Sequence, residues 1–104
     1  MIDVATFCSY TFSVDFEWNE EKLLSNITKH GFDFIGVETV FDGAIVTILD
    51  DRFDYGEERF ITFGLFDGRS VAIVHTETET MIRIISVRKA TTNEEENYFK
   101  AIGN

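Results

Sequence analysis

The stretch that decides the fold runs from residue 59 to residue 76 and reads RFITFGLFDGRSVAIVHT. Two runs rich in β-branched and aromatic residues flank the dipeptide Asp67-Gly68, and such runs favour extended strands. Both central residues of a type I′ turn need a positive φ, which Asp-Gly adopts at low cost. The segment therefore predicts a β-hairpin with strands 59–66 and 69–76, in which Phe66 pairs with Arg69.

This pairing divides the side chains of the hairpin between two faces, because successive residues of a strand point to opposite sides. The first face is predicted to carry Arg59, Ile61, Phe63, Leu65, Ala72 and Val74. The opposite face is predicted to carry Phe60, Phe66, Arg69, Val71, Ile73 and His75.

A further β-branched strand is predicted over residues 81–87, and it carries Arg83 and leads to Arg88. Strict alternation puts Arg83 on the first face and Arg88 on the second. The adjacent Ile84 and Ile85 break that alternation, which means either burial on both faces or a β-bulge. A bulge would bring Arg83 and Arg88 to the same side, and the sequence leaves both alternatives open.

Helices are predicted on both sides of the hairpin segment in the chain. Alternating residues 10–18 predict a strand, after which Asn19 as N-cap and Gly31 as stop delimit a helix over 20–30. Its apolar stripe is predicted to be Leu23, Leu24 and Ile27. A second short helix is expected over 34–41, capped by Asp33, and a strand over 44–49.

The C-terminal residues predict one more helix, because Thr92 and Glu95 have the spacing of a capping box before residues 93–101. Together these elements predict an α+β fold with helices on one face of a mainly antiparallel sheet. The other face is then left to solvent or to a partner.

Length and composition limit the class of protein. The chain has 104 residues, which suit one domain, and 44% hydrophobic residues, which suffice for a core. No apolar run reaches the ~18 residues of a membrane-spanning helix, and the N-terminus lacks a secretory pattern. Cys8 is the single cysteine, so a disulfide framework is excluded. We expect a soluble protein of the cytoplasm.

Charge argues against general polyanion binding but leaves room for a local phosphate site. The formal net charge is -10, and this repels nucleic acid at long range. All five arginines, however, lie between residues 52 and 88. An arginine fork can hold a phosphate through short bidentate hydrogen bonds that survive screening. The alternative is ordinary charge at a sheet edge.

Most motifs for chemistry are missing from the sequence. There is no phosphate-binding glycine loop, no second histidine at metal-ligand spacing from His30 or His75, and no nucleophile elbow. We expect neither a metal site nor a cofactor. The residues that remain are Lys22, Lys29, His30, Arg59, Arg83, Arg88 and Lys89.

These residues suit metal-free RNA cleavage, which needs a base for the 2′-hydroxyl, cations for the phosphorane and an acid for the leaving oxygen. A structural interpretation stays open beside this one. His30 at a helix end could bond the last carbonyl groups, and Arg59 and Arg83 could pair with Glu57, Glu58 or Glu77.

Four motifs together resemble the BrnT family. They are Phe16-Glu17-Trp18-Asn19 leading to Lys22, Asn26 and Lys29-His30-Gly31, then Val40-Phe41-Asp42, Gly56-Glu57-x-Arg59 and Ile82-Arg83-Ile84-Ile85-Ser86-x-Arg88. The resemblance implies a RelE-like fold with two N-terminal helices on one face of the sheet and a short C-terminal helix. It places the toxin domain at residues 16–104. Residues 1–15 are then an N-terminal extension, either an added edge strand or residues upstream of the start.

The resemblance also implies an activity and a partner. BrnT proteins are metal-independent endoribonuclease toxins of type II toxin–antitoxin systems, which inhibit translation. The partner is a BrnA-type antitoxin with a ribbon-helix-helix part, through which the complex binds promoter DNA. Residues carried over as catalytic are His30, Arg59, Arg83 and Arg88, and those carried over as substrate-binding are Lys22, Asn26, Lys29 and Lys89. Lys89 stands where the family often has arginine, so it keeps the charge and loses the fork.

A second hypothesis belongs to a different class of function. The negative charge and Lys89 fit a toxin homologue that has lost catalysis and acts as an antitoxin-binding corepressor module. In either case we expect an exposed face that a partner covers, and a homodimer when the antitoxin is absent.

Overall fold

The computed structural model describes residues 14–52, 54 and 56–103, and these form a five-stranded sheet with three helices. The strands are β1 (Asp15–Trp18), β2 (Val46–Asp50), β3 (Arg59–Phe66), β4 (Arg69–Glu77) and β5 (Met81–Lys89). The helices are α1 (Glu20–His30), α2 (Glu38–Phe41) and α3 (Thr92–Ala101). The strand order is β1-β5-β4-β3-β2, with β1 parallel to β5 and every other pair antiparallel. The α+β class and the mainly antiparallel sheet are confirmed.

The hairpin has the predicted register. Phe66 pairs with Arg69 and Gly64 with Val71. The turn residues Asp67 and Gly68 have φ values of 51° and 79°, as a type I′ turn requires.

A β-bulge decides the question that Ile84 and Ile85 left open. Val74 pairs with Ser86, whereas the next residue, His75, pairs with Ile84, so Ile85 is the extra residue of β5. Because one residue is inserted, Arg83 and Arg88 lie on the same side of the sheet, and Arg59 shares that side. We call it the arginine face and its opposite the core face.

The core face carries the main hydrophobic cluster beneath α1 and α2. Val71, Ile73 and Ile84 of the sheet pack there with Phe34 and Phe41, and all of them are fully buried. The predicted division of the hairpin between two faces is therefore confirmed.

The arginine face is not left open, and the expectation that all helices pack on one side is wrong. Ile61, Ala72 and Val74 are buried on this face. Helix α3 lies against it, because Ser70 donates a hydrogen bond to Glu95 and the Tyr98 hydroxyl donates one to the carbonyl of Ala44 at 2.7 Å. The polar residues of α3 find partners there that an apolar core could not supply.

Both shorter helices begin at other residues than the sequence predicts. Helix α2 starts at Glu38 and not at residue 34, since Gly36 has a φ of 90°, which no right-handed helix accommodates. Asp33 accepts a hydrogen bond from the Ile35 amide and forms a turn instead of a cap. The capping box of α3 is Thr91 with Glu94, one residue before the predicted pair.

The buried stripe of α1 also differs from the prediction. Leu23 is buried as expected, but Leu24 and Ile27 are 62% and 40% exposed, and Asn26 is buried in their place. The reason lies at the end of β1. Beyond Trp18 the edge of β5 has no strand partner among the described residues, and α1 lies against that edge through Asn26.

The remaining bounds differ little from the prediction. Helix α1 covers the predicted residues, β2 covers 46–50 where 44–49 was expected, and β5 extends to Lys89. The described part of the first strand is Asp15–Trp18, and the predicted residues 10–13 lie outside the described part of the chain.

Candidate functional site

Two of the predicted site residues, Arg59 and Arg83, lie in one row across the arginine face. Thr76 of β4 pairs with Arg83, and the register of β3 with β4 puts Arg59 opposite Thr76 on the other side. Neighbouring strands are spaced by 4.7–4.9 Å, so the backbones of the two arginines are about 10 Å apart. The structure therefore brings Arg59 and Arg83 together.

Both arginines of this row make ion pairs that water reaches. Arg83 Nε lies 2.9 Å from a carboxylate oxygen of Glu17, and the two side chains are 60% and 42% exposed. Arg59 Nε lies 3.3 Å from Glu57, one of the partners that the sequence suggested. An exposed pair such as that of Arg83 with Glu17 contributes about 0–1 kcal/mol, so a phosphate group can compete for this guanidinium.

Arg88 lies on the same face but at a distance from the row. It stands opposite Ala72, four residues along β4 from Thr76, which corresponds to about 13 Å. Its guanidinium donates two hydrogen bonds to Glu94, at 2.7 and 2.9 Å. These bonds raise the pKa of Arg88 and hold the pKa of Glu94 at about 2.

Arg52 is a candidate that the sequence analysis missed. Its guanidinium donates to both oxygens of Asp50, at 2.7 and 2.9 Å. The Asp50 side chain is fully buried, whereas that of Arg52 is 53% exposed. Asp50 pairs with Arg59 across the strands, so its side chain points to the arginine face. Arg52 is also near enough to Arg88 to oppose the rise in pKa that Glu94 causes there.

No local pattern in the sequence singles out Arg52, because its place depends on the burial of the Asp50 side chain. Four of the five arginines thus lie on or against the arginine face, namely Arg52, Arg59, Arg83 and Arg88. The fifth, Arg69, lies on the core face, 4.4 Å above the ring of Phe32.

Helix α1 adds two lysines and a histidine beside β5. Lys22, Lys29 and His30, all exposed, line a cleft of about 150 Å³ between α1 and the β5 residues Ile85 and Ser86. Ser86 pairs with Val74 of the arginine face, between the positions of Arg83 and Arg88. The cleft therefore opens beside that face.

Asn26 borders the same cleft, but its side chain is bound within the fold. It is 4% exposed, and its amide nitrogen donates to the carbonyls of Phe32 and Val87, both at 2.9 Å. Its oxygen accepts from the Val87 amide at 3.0 Å. Asn26 thereby continues the hydrogen bonding of the β5 edge where β1 ends, and it fixes α1 there.

Lys89 is the predicted residue that the structure leaves apart. It pairs with Val71 on the core-face side and is exposed. The other predicted cations form the row of Arg59 and Arg83, the more distant Arg88 on the same face, and Lys22 and Lys29 in the cleft at the β5 edge.

Residues 18–94 match the model of a family described as the ribonuclease toxin BrnT of type II toxin–antitoxin systems. The chain belongs to the BrnT family. This match contains every candidate residue named above, from Lys22 of the cleft to Glu94, the partner of Arg88. None of the curated proteins matches the chain.

Membership in the BrnT family gives the arginine face a chemical context. Ribonuclease toxins of type II systems act on a polyanion and have a cognate antitoxin. Within the described residues, no three His, Cys, Asp or Glu side chains are grouped as metal ligands, and none of the helices is long and apolar enough to cross a membrane.

Proposed function

We propose that this BrnT chain is a metal-independent endoribonuclease that inhibits translation by cleaving RNA at the arginine face. The observation that carries the proposal is the location of the cations. Four arginines lie on or against one side of the sheet, and the cleft with Lys22, Lys29 and His30 opens beside it.

Cleavage without a metal requires that side chains carry out every step. The ribose 2′-oxygen attacks the neighbouring phosphorus, and the bond from phosphorus to the 5′-oxygen breaks. His30 is the candidate for proton transfer, because imidazole both accepts and donates protons near neutral pH. Arg59, Arg83 and Arg88 would neutralise the charge that builds on the phosphate.

The substrate backbone beyond the reacting phosphate needs cations of its own. Lys22 and Lys29, which line the cleft, would bind flanking phosphates. Lys89 would contribute only if the RNA passes around the sheet, because it lies on the core-face side. Asn26 contributes by holding α1, and so the two lysines, against the sheet.

The first experiment is RNA cleavage by the purified chain in EDTA, comparing Arg83→Ala with the matched variant Arg69→Ala. Removing one guanidinium from a transition-state site typically lowers the rate by about 10²-fold or more. We expect that loss for Arg83→Ala and a rate within threefold of wild type for Arg69→Ala, whose arginine lies on the core face. Equal rates for the two variants would contradict the site, and loss of all cleavage in EDTA would contradict metal independence.

The proposed biological setting follows from the same family. The partner would be a BrnA-type ribbon-helix-helix antitoxin in the cytoplasm, and promoter DNA would be bound only through it. Without the antitoxin we expect the chain to form a homodimer. Addition of the chain to a cell-free translation system should stop protein synthesis, and an equimolar amount of antitoxin should restore it.

A second candidate function is a catalytically inactive corepressor that acts through the antitoxin. One observation favours it, namely that Arg52, Arg59, Arg83 and Arg88 each have a carboxylate partner. Induced expression without antitoxin separates the two functions. Arrested growth supports the nuclease, whereas normal growth together with a tight antitoxin complex supports the corepressor.

A further inference from the structure

The outer edge of β2 is the feature of the fold that the nuclease chemistry does not use. Among the described residues β2 bonds only to β3, and it is the last strand of the sheet. On its other side the backbone of residues 46–49 has no strand partner in the described part of the chain, and natural proteins rarely leave such an edge without a partner or a protective device.

The side chains at this edge are apolar and exposed. Ile48 and Leu49 are 49% and 50% exposed. Next to Ile48 lies a cleft of about 280 Å³, which is lined by Val46, Phe63 and Tyr98 with Glu94 and Asn97 of α3. This cleft has room for one or two aliphatic side chains beside a free strand edge.

At the opposite edge, the described residues of β1 offer no such combination. The apolar residues of β1 turn inward, where Phe16 packs on Phe41 and Trp18 on Phe34. Glu17 is paired with Arg83. The apolar edge residues are therefore turned outward at β2 and inward at β1.

The charge around β2 indicates what kind of segment fits. Residues 42–58 contain six acidic side chains and one basic one, Arg52. Asp50 is bound to Arg52, Glu57 to Arg59 and, at the cleft, Glu94 to Arg88. The acidic excess that remains in 42–58 consists of Asp42, Asp51, Asp54 and Glu58. A partner segment with lysine or arginine beside its apolar residues meets complementary charge here, which favours association and disfavours acidic competitors.

We propose that the edge of β2 and the adjacent cleft form the docking site of the cognate antitoxin, which adds an extended, basic and apolar segment as a sixth strand. Main-chain hydrogen bonds to β2 would supply affinity, and an aliphatic side chain in the cleft would supply specificity. The proposal rests on the antitoxin partnership within the proposed function and not on RNA cleavage.

The test measures the binding of purified full-length cognate antitoxin to Ile48→Lys and to the matched variant Leu24→Lys. Both residues are exposed and apolar, but Leu24 lies on α1, away from β2. We expect the Kd to rise by tenfold or more for Ile48→Lys, because the lysine repels a basic segment and cannot fill the cleft. For Leu24→Lys the Kd should stay within twofold of wild type.

A second measurement needs no variant and covers the case in which Ile48→Lys fails to fold. Hydrogen exchange of the wild-type complex should show new protection of the amides in 46–50 and none in the exposed turns of α1. Unchanged binding by folded Ile48→Lys, or new protection in α1 alone, overturns the proposal. So does a wild-type dimer that Ile48→Lys dissociates while antitoxin affinity is kept, since the edge then belongs to a second copy of the chain.

The outcome is independent of whether the chain cleaves RNA. If the antitoxin-free chain leaves RNA intact while Ile48→Lys still loses antitoxin, the nuclease proposal fails and the docking site stands.

Discussion

At the scale of single residues, His75 is the most deeply buried ionisable group that the site does not use. Its Nε2 lies 2.7 Å from the Thr62 hydroxyl, which in turn lies 2.7 Å from the Thr47 hydroxyl. Phe41 and Phe60 pack on the imidazole ring, and Glu77 lies 3.5 Å from Nδ1. Burial lowers the pKa of His75 to about 4, so the ring is neutral at physiological pH.

We expect His75 to make the stability of the fold depend on pH in one defined window. An unfolded histidine binds its proton near pH 6.5, and the folded one only near pH 4. Between these values the unfolded state binds more protons than the folded state. The contribution of the neutral, buried His75 to the free energy of unfolding is therefore complete above pH 6.5, and about 3 kcal/mol of it is lost as the pH falls to 4. Urea denaturation of wild type and of His75→Gln at several pH values measures this slope.

The control for that experiment is Ser25→Gln, which puts the same new residue at an exposed position of α1 and leaves His75 in place. It should keep the wild-type slope between pH 6.5 and 4, whereas His75→Gln should lose most of it. A wild-type slope in His75→Gln would mean that another group is responsible.

At the scale of secondary-structure elements, Asn26 connects helix α1 to strand β5. Replacing it with alanine leaves the Val87 amide and the carbonyls of Val87 and Phe32 without their partner. Buried groups deprived in this way cost about 1–3 kcal/mol each, partly relieved by water. We expect Asn26→Ala to lower the free energy of unfolding by about 2–4 kcal/mol, measured by chemical denaturation. The neighbouring Ser25→Ala, at an exposed position, should change it by less than about 0.5 kcal/mol.

Gly64 sets how closely β3 approaches α2. A Cβ at this position would lie 2.5 Å from Cγ1 of Val40 and 3.2 Å from Cγ2 of Ile45. Val40 is fully packed and β-branched, so it cannot swing away, and overpacking of this kind costs about 1–3 kcal/mol. Gly64→Ala should therefore lower the midpoint of thermal unfolding, as measured by circular dichroism.

Gly43→Ala is the matched control for that variant. A Cβ at Gly43 meets only the Val40 carbonyl, at an ordinary 3.6 Å. If the two variants have the same midpoint of thermal unfolding, the close approach of β3 and α2 is not the reason for a glycine at position 64.

Much of this architecture could be predicted from the sequence, because local chemistry decides it. Asp67-Gly68 determines the hairpin register, and Asn19 and Gly31 determine the ends of α1. The misses arise where contacts distant in sequence choose between local options. Both Thr91 and Thr92 have a glutamate three residues later, and the bond from Arg88 to Glu94 accompanies the first pair.

The candidate site was predictable in its residue types and less so in its arrangement. The sequence indicated Arg59 and Arg83 but not Arg52, whose place follows from the burial of Asp50. The family resemblance also assigned Asn26 to substrate binding together with Lys22 and Lys29, whereas the structure shows its side chain bound within the fold. The end of the first strand at Trp18 was predictable, but no local pattern shows that the Asn26 amide bonds to the β5 edge beyond it.

At the scale of the whole molecule, the net charge of -10 is a source of self-repulsion. Raising the salt concentration from 0.01 to 0.15 M shortens the Debye length from about 30 to about 8 Å, which screens repulsion between distant carboxylates. The short pair of Arg88 with Glu94 is weakened less, since it is only about a quarter exposed. We expect the Tm to rise by several degrees, as measured by calorimetry in sodium chloride. A fall in Tm would show that the ion pairs outweigh the repulsion.

Glu94 has a consequence that reaches beyond its own pair. The same carboxylate accepts the Thr91 amide that starts α3 and the two hydrogen bonds of Arg88. The stability of the first turn of α3 and the availability of the Arg88 guanidinium to a ligand are therefore thermodynamically linked. A ligand that draws Arg88 away from Glu94 should destabilise the first turn of α3. Conversely, a change that destabilises this turn should alter the affinity of Arg88 for the ligand.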